Sequence, residues 1–491
     1  MIIIIDNFMN LQIIIAALHV LIVSAISVRV IMLQPARGVA LAWLLLVAIL
    51  PFVGALLYLL IGERRIGRRR TRGIVELRMD YRKISAATMP TGLTEVDWSR
   101  LPTSALGMDR LGRTLVGSAT VHGSRFRLFS DTETVLKAIS RDLDEAKTSV
   151  LMEFYIWNEG GTADEVLEAL IRAAQRGVHC RVLIDALGAR PWWKGMQPQR
   201  LREAGIELRA ALPVGLLRTL VGRTDLRLHR KIVVIDGDVA WTGSMNLVDP
   251  RYFKKGAGVG EWVDAMVRLK GAVVVPLGAT LIGDWLLETG ESMHDLIHSA
   301  GLHLTHPQGT ADIQVIPSGP GETGDGLLQM LLALINAAQK ELVLTTPYLV
   351  PDDALILALR GAAGRGVKVI VIVPEKVDSL LTRFASRSYF DELLDLGVEI
   401  QMYRGGLLHT KSISVDGALA MFGTVNLDMR SLWLNYEVAL FVYEPDFAKA
   451  LRTLQQTYLE RSVRLDRAEW DNRAFRERLI EAALRLVSPL L

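Results

Sequence analysis

The sequence predicts an α/β protein with a transmembrane helical hairpin at its start, followed by two tandem α/β domains related by a pseudo-twofold axis. Three observations predict this. Long charge-poor apolar runs fill the first 62 residues. Strand and helix signals then alternate, and their order occurs twice. One polar pattern also occurs twice, as "LHRKIVVID" from Leu228 and "LHTKSISVD" from Leu408.

The apolar runs come first. Leu11 to Val28 is interrupted only by Gln12, His19 and serines, and Val39 to Ile61 holds no charge. A helix needs roughly 20 apolar residues to cross a bilayer core. Spans are therefore expected at about 9–30 and 39–61, joined by the Pro- and Gly-containing turn "LQPARG" at 33–38. A cleaved signal peptide is the rival for the first run. Asp6 and the lack of any earlier Lys or Arg argue against it. Arg64, Arg65, Arg68, Arg69, Arg70 and Arg72 crowd the exit of the second run, and the turn offers only Arg29 and Arg37. Basic flanks stay inside, so everything after Ile61 is expected in the cytoplasm. The same arginines are suited to anionic headgroups.

The rest of the chain follows as a linker over 66–120 and domains over 121–300 and 305–491. "SVLMEFYIW" at 149–157 reads as a buried strand. "ADEVLEALIRAAQRG" at 163–177 is a helix with a Gly stop, and "VHCRVLID" is the next strand. The second half repeats this with "LVLTTPYLV", "DALILALRGAAGRG" and "VKVIVIVP". The short turns into strands, "AGIEL" and "LGVEI", also match. A repeat this long means tandem domains. Cys180 is the single cysteine, so the fold uses no internal disulfide, as suits a reducing compartment. No zinc-ligand spacing, P-loop or dinucleotide fingerprint occurs in the 491 residues.

Within each polar pattern the His and Lys are two apart and project to one face of an extended strand. An apolar run follows, and an Asp ends it. "TGSMN" and "FGTVN" then bring a Gly and an Asn back toward the same end. One unit supplies too little for acid–base chemistry. Two units facing each other supply two imidazoles, two ammoniums and two amides. That set is suited to a phosphodiester, with the imidazoles as nucleophile and general acid.

The paired patterns resemble the HKD motifs of the phospholipase D superfamily, and the fuller sequence resembles bacterial cardiolipin synthases. "WLLLVAILPFVGALLYLLIG", "SGPG" at 318–321, "TTPYLVPDD", "SRSYFDELLDLGVEI", "GTVNLDMRSLWLNYE" and the terminal "SPLL" carry the likeness over nearly the whole chain. The resemblance implies a catalytic set of His229, Lys231, Asp236, His409, Lys411 and Asp416, with Asn246 and Asn426 also binding phosphate. Asp236 and Asp416 are expected to fix local loops rather than touch substrate. The resemblance also implies that an acid on a following strand holds each imidazole; Asp264 and Glu437 occupy those places in the two units, and Glu261 is the rival to Asp264 because the first unit is longer here. The implied reaction turns two phosphatidylglycerols into cardiolipin and glycerol through a phosphohistidine. It uses no metal or cofactor. The implied partners are phosphatidylglycerol and other anionic lipids at a bacterial inner membrane, with no nucleic acid and an oligomer allowed.

Hydrolysis through the same intermediate is the nearest rival, as a phospholipase or nuclease. A nuclease calls for a basic groove with stacking aromatics, whereas the net charge is only +3. The same residues also allow a synthase drawing on phosphatidylethanolamine as donor, or a non-catalytic membrane scaffold with a decayed site. Intact copies of every His, Lys and Asn argue against the scaffold. In "ALPVGLLRTLVGRTDLRLHRK", apolar residues alternate with Arg218, Arg223 and Arg227. This segment is expected to lie in the membrane interface, with Trp192 and Trp193 as anchors.

Overall fold

A computed structural model describes residues 2–33, 37–50, 52–62, 70–71, 73–74, 95–215, 223, 225–291, 296–297, 299–303, 305–321 and 324–487. Arg64, Arg65, Arg68, Arg69, Arg72, Arg218 and the leucines of 216–220 lie outside these residues, as does the terminal "SPLL". By contacts the chain divides into two units, residues 1–67 with 214–225, and the remainder.

The first unit holds α1 (Ile2–Leu33), α2 (Arg37–Ile49) and α3 (Val53–Leu57), the last running into a π-helical turn at Tyr58–Gly62. Residues Asn10–Leu33 of α1 are apolar and long enough to cross a bilayer. Among the described residues this is the one candidate span. The run expected to form a second span is not one continuous helix. The sequence places Pro51 inside it, and proline has no N–H to give to a helix. Phe52 beside it adopts φ 61°. Ile26, Val30, Val47, Ala55 and Tyr58 pack together in this unit.

The second unit is built on a 16-stranded mixed sheet. The first half contributes β1 (Thr120–Phe129), β2 (Ser149–Phe154), β3 (His179–Asp185), β4 (Glu207–Ala211), β5 (Arg227–Leu228), β6 (Ile232–Ile235), β7 (Val239–Gly243), β8 (Trp262–Val263) and β9 (Met266–Lys270). The second contributes β10 (Ala311–Ser318), β11 (Glu341–Thr345), β12 (Leu349–Val350), β13 (Lys368–Pro374), β14 (Glu399–Tyr403), β15 (Leu407–Leu408), β16 (Ser412–Val415), β17 (Leu419–Gly423), β18 (Leu427–Asp428), β19 (Asn435–Val442) and β20 (Ser462–Arg464). Of all these strands, β8 pairs only with β15 and β12 only with β18, as two-stranded sheets apart from the large one. The order β1-β9-β7-β6-β2-β3-β4 in one half matches β10-β19-β17-β16-β11-β13-β14 in the other. The halves join through antiparallel β1 and β10, with Thr120 opposite Gln314. The repeat therefore closes into one sheet, with its two ends related as a twofold axis would relate them.

Helices cover the faces. Thr132–Glu145 starts on an Asp131 side chain that accepts from Thr134 N at 2.8 Å. Its apolar side packs with Thr162–Gln175 over Val150, Met152 and Val182. Part of the stretch read as linker, Thr103–Leu115, is helical and buries Ala105 and Met108 against Leu327 and Leu331. Trp192 is not a membrane anchor. It is 2% exposed and stacked on Trp157 at 4.8 Å, with its indole N–H on Gln197. Trp193 donates to the Asp185 carbonyl, so both indoles are spent inside the domain.

Candidate active site

Each His-Lys pattern begins on a two-residue strand that pairs with the other half of the molecule. Leu228 of β5 lies opposite Tyr436 of β19, and the next residue, His229, donates its backbone N–H to the Tyr436 carbonyl at 2.9 Å. Leu408 of β15 lies opposite Val263 of β8, and His409 N–H reaches the Val263 carbonyl at 2.8 Å. The acid that follows each of these partner residues by one position is thereby set beside the incoming imidazole. His229 Nδ1 is 2.9 Å from Glu437 Oε2, and His409 Nδ1 is 2.7 Å from Asp264 Oδ1. The pairing is crossed: each imidazole is held by the other domain's carboxylate. Glu261 contributes a backbone carbonyl to Leu407, and Asp264 alone of the two acids holds an imidazole.

The carboxylates are themselves oriented. Thr424 Oγ1 donates to Glu437 Oε2 at 2.5 Å and Asn435 Nδ2 to Oε1 at 3.1 Å. Ser244 Oγ donates to Asp264 Oδ1 at 2.6 Å. These hydroxyls were missed in the sequence, although the repeated Gly-Ser/Thr-x-Asn already carried them. Asp185, also missed, accepts from Leu228 N at 2.9 Å and steers the backbone into His229. Tyr155 lies edge-on to His229 at 5.1 Å, and the Trp262 ring is 4.4 Å from that of His409.

The lysines follow the symmetry. Lys231 Nζ donates to His229 O at 2.5 Å, and Lys411 Nζ to His409 O at 2.5 Å. Both are wholly buried. Asn246 anchors its Oδ1 on Ile156 N at 3.1 Å, while its buried Nδ2 has no protein partner. Asn426 likewise keeps one buried amide atom unpartnered. Such groups call for a polar occupant.

Burial and the crossed carboxylate–imidazole pairs set the protonation states. Burial lowers both imidazoles to about 4, against the partial opposition of Glu437 and Asp264. Burial also lowers Lys231 to about 8 and Lys411 to about 7. It would raise Asp264, but His409, Lys411 and Ser244 outweigh it and hold the carboxyl at about 2. Glu437 is held below its usual range in the same way, with His229 and Lys231 overcoming burial. Near neutral pH each ionised carboxylate thus takes the Nδ1–H of a neutral imidazole, leaving Nε2 as the basic nitrogen. Each lysine acts on the other motif's histidine as well as its own. An entering phosphodiester opposes the burial effect and promotes protonation of one ring.

Asp236 and Asp416 lie elsewhere. They occupy the far ends of β6 and β16, at φ 54° and 53°, in Asp-Gly hairpin turns. Asp236 accepts from the backbone of Lys147, Thr148 and Ser149, and Asp416 from that of Gln339, Lys340 and Glu341. Arg230, between His229 and Lys231, is buried, ion-paired with Asp284 and bonded to the carbonyls of Glu437 and Ser318.

Residues 139–255 and 331–457 match the family described as "Cardiolipin synthase, PLD-like domain", and 13–63 match "Phospholipase_D-nuclease N-terminal". The chain is 42% identical to cardiolipin synthase A of Erwinia tasmaniensis over 472 residues, covering 96% of each chain. It is 43% identical to cardiolipin synthase A of Edwardsiella ictaluri over 482 residues, again covering 96% of each. The crystal structure of phosphatidylserine synthase from Haemophilus influenzae Rd KW20 superposes with a TM-score of 0.58 at 16% identity. It covers 78% of this chain and 99% of that one, a likeness of fold. With both domains matched and the similarity running through nearly the whole length, this chain belongs to the cardiolipin synthase family of the phospholipase D superfamily.

Proposed function

We propose that this protein makes cardiolipin by moving a phosphatidyl group from one phosphatidylglycerol to another, with His229 as nucleophile. The observation that carries this reading is the crossed pair of carboxylate-held imidazoles, because it supplies two basic nitrogens and two ammoniums to one phosphodiester. In the first step His229 Nε2 bonds to phosphorus, the bond to the glycerol oxygen breaks, and protonated His409 gives that oxygen its proton. In the second, the hydroxyl of another phosphatidylglycerol yields its proton to His409 and bonds to phosphorus as the bond to His229 breaks. Lys231, Lys411, Asn246 and Asn426 bind the phosphoryl oxygens as charge builds on them.

The membrane arrangement belongs to the same proposal. The run 39–61 forms a second span despite its break, and the arginine-rich exit holds the catalytic unit on the cytoplasmic side of a bacterial inner membrane. A site held at the bilayer surface favours a lipid alcohol over water, because effective molarity there outweighs bulk concentration. No nucleic-acid substrate is proposed. In phosphatidylglycerol vesicles the purified protein yields mainly cardiolipin and glycerol, and His229→Ala or His409→Ala abolishes both. Phosphatidic acid as the main product would make the protein a phospholipase instead. A phosphohistidine mapped to His409 would exchange the two roles.

A further inference from the structure

The site's twofold symmetry fails in the stretch that follows the first motif. The segment between Asn246 and Trp262 is longer than its counterpart "LDMRSLW" and brings in Lys254, for which the second half has no match. Lys254 sits at φ 46°. Its Nζ is 2.9 Å from Oδ2 of Asp378, across the boundary between the halves. Asp378 is fixed from behind by Tyr348, whose hydroxyl donates to Oδ1 at 2.8 Å. The same ammonium lies 5.4 Å from the Trp262 ring centroid and 5.5 Å from that of Phe253. Trp262 in turn lies 4.4 Å from His409. Together these distances cap the separation of the ammonium from the His409 ring at about 10 Å. The Lys254 side chain is 46% exposed, so the cation is fixed but open to solvent.

We propose that Lys254 is the subsite for the phosphate of the acceptor lipid, a proposal that rests on the transfer mechanism above. With His409 as the base, the acceptor hydroxyl approaches on the His409 side, where the leaving glycerol had been. A departing glycerol is uncharged. An acceptor phosphatidylglycerol carries its own phosphodiester, one glycerol away from the reacting oxygen. That second anion needs a cation outside the Lys231–Lys411 pair, on the His409 side alone, and Lys254 meets both conditions. An ammonium has three donors, so it can keep Asp378 and bind a phosphate. Asp378 holds it in place beforehand, which reduces the entropy lost on binding. The subsite thus distinguishes an acidic lipid acceptor from water or a neutral alcohol.

The test is a competition between acceptors. Full-length protein in phosphatidylglycerol vesicles is given ethanol as a neutral acceptor, and cardiolipin, phosphatidylethanol and phosphatidic acid are measured together. Lys254→Gln lowers the ratio of cardiolipin to phosphatidylethanol about tenfold, the scale of one charge-assisted hydrogen bond, and raises the share of phosphatidic acid. Lys254→Arg restores most of the ratio. A Lys254→Gln ratio equal to that of the wild type overturns the subsite while leaving the transfer mechanism intact. Wild-type protein that makes no cardiolipin overturns both.

Discussion

Glu437 accepts the Nδ1–H of His229 at 2.9 Å although 208 residues separate the two in the chain. The carboxylate that makes the first motif's imidazole basic therefore belongs to the second domain, and Asp264 of the first domain does the same for His409. Neither half pairs its own motif histidine with its own acid. Duplication thus supplies more than a second copy of each group, because each copy completes the other.

Glu437→Gln should reduce turnover by about a hundredfold to ten-thousandfold, since a neutral amide neither fixes the Nδ1–H tautomer nor stabilises an imidazolium. The loss should be non-additive with His229→Ala, as for groups acting as a unit. Independent, multiplying losses measured in a double-mutant cycle would show that Glu437 acts elsewhere.

The pH profile of kcat/KM reports the free enzyme. On the acid side the rate falls as the nucleophilic imidazole is protonated, and burial has moved that limb down to about 4. On the alkaline side it falls as Lys411 and Lys231 lose their protons, from about 7 to 8. The first step also needs His409 protonated, and burial holds that ring at about 4 as well, so kcat/KM should already decline between those limbs and fall more steeply once the lysines lose their protons. Lys411→Arg keeps its charge at any accessible pH and should carry the alkaline limb upward. A wild-type profile that does not steepen at the alkaline limb would contradict its assignment to the lysines.

Asp236→Ala should lower stability by about 1–3 kcal/mol, because the backbone N–H groups at 147–149 lose their acceptor. Turnover per folded molecule should hold. Asp236→Asn, which tolerates the left-handed conformation and keeps one acceptor oxygen, should lose less. Thermal unfolding of detergent-solubilised protein, paired with activity on the folded fraction, checks both points.

Arg230→Ala removes the buried ion pair with Asp284 and should cost about 3–5 kcal/mol. It also removes bonds to Glu437 O and Ser318 O that tie the halves together. Replacing Arg230 and Asp284 together with apolar residues should recover part of the stability. A midpoint for Arg230→Ala equal to that of the wild type would show the pair to be idle.

The sequence by itself determined what is local. Apolar periodicity set the strands and helices, since a period of about 2 or 3.6 residues places a buried face whatever lies opposite. Asp-Gly at 236–237 and 416–417 specified the hairpin turns, because only a few residues accept a positive φ. The duplicated His-Lys-Asn pattern pointed to the groups proposed to react. Tertiary structure decided what depends on non-local register. The crossed carboxylates follow from β5 pairing with β19 and β15 with β8, and no spacing within either motif encodes a partner in the other half. The indoles of Trp192 and Trp193 read as interfacial anchors from composition, yet their N–H groups found acceptors inside the domain. The placement of Lys254 was equally hidden, because a lysine in a long loop is ordinary until the fold sets it against Asp378 and Trp262 beside His409.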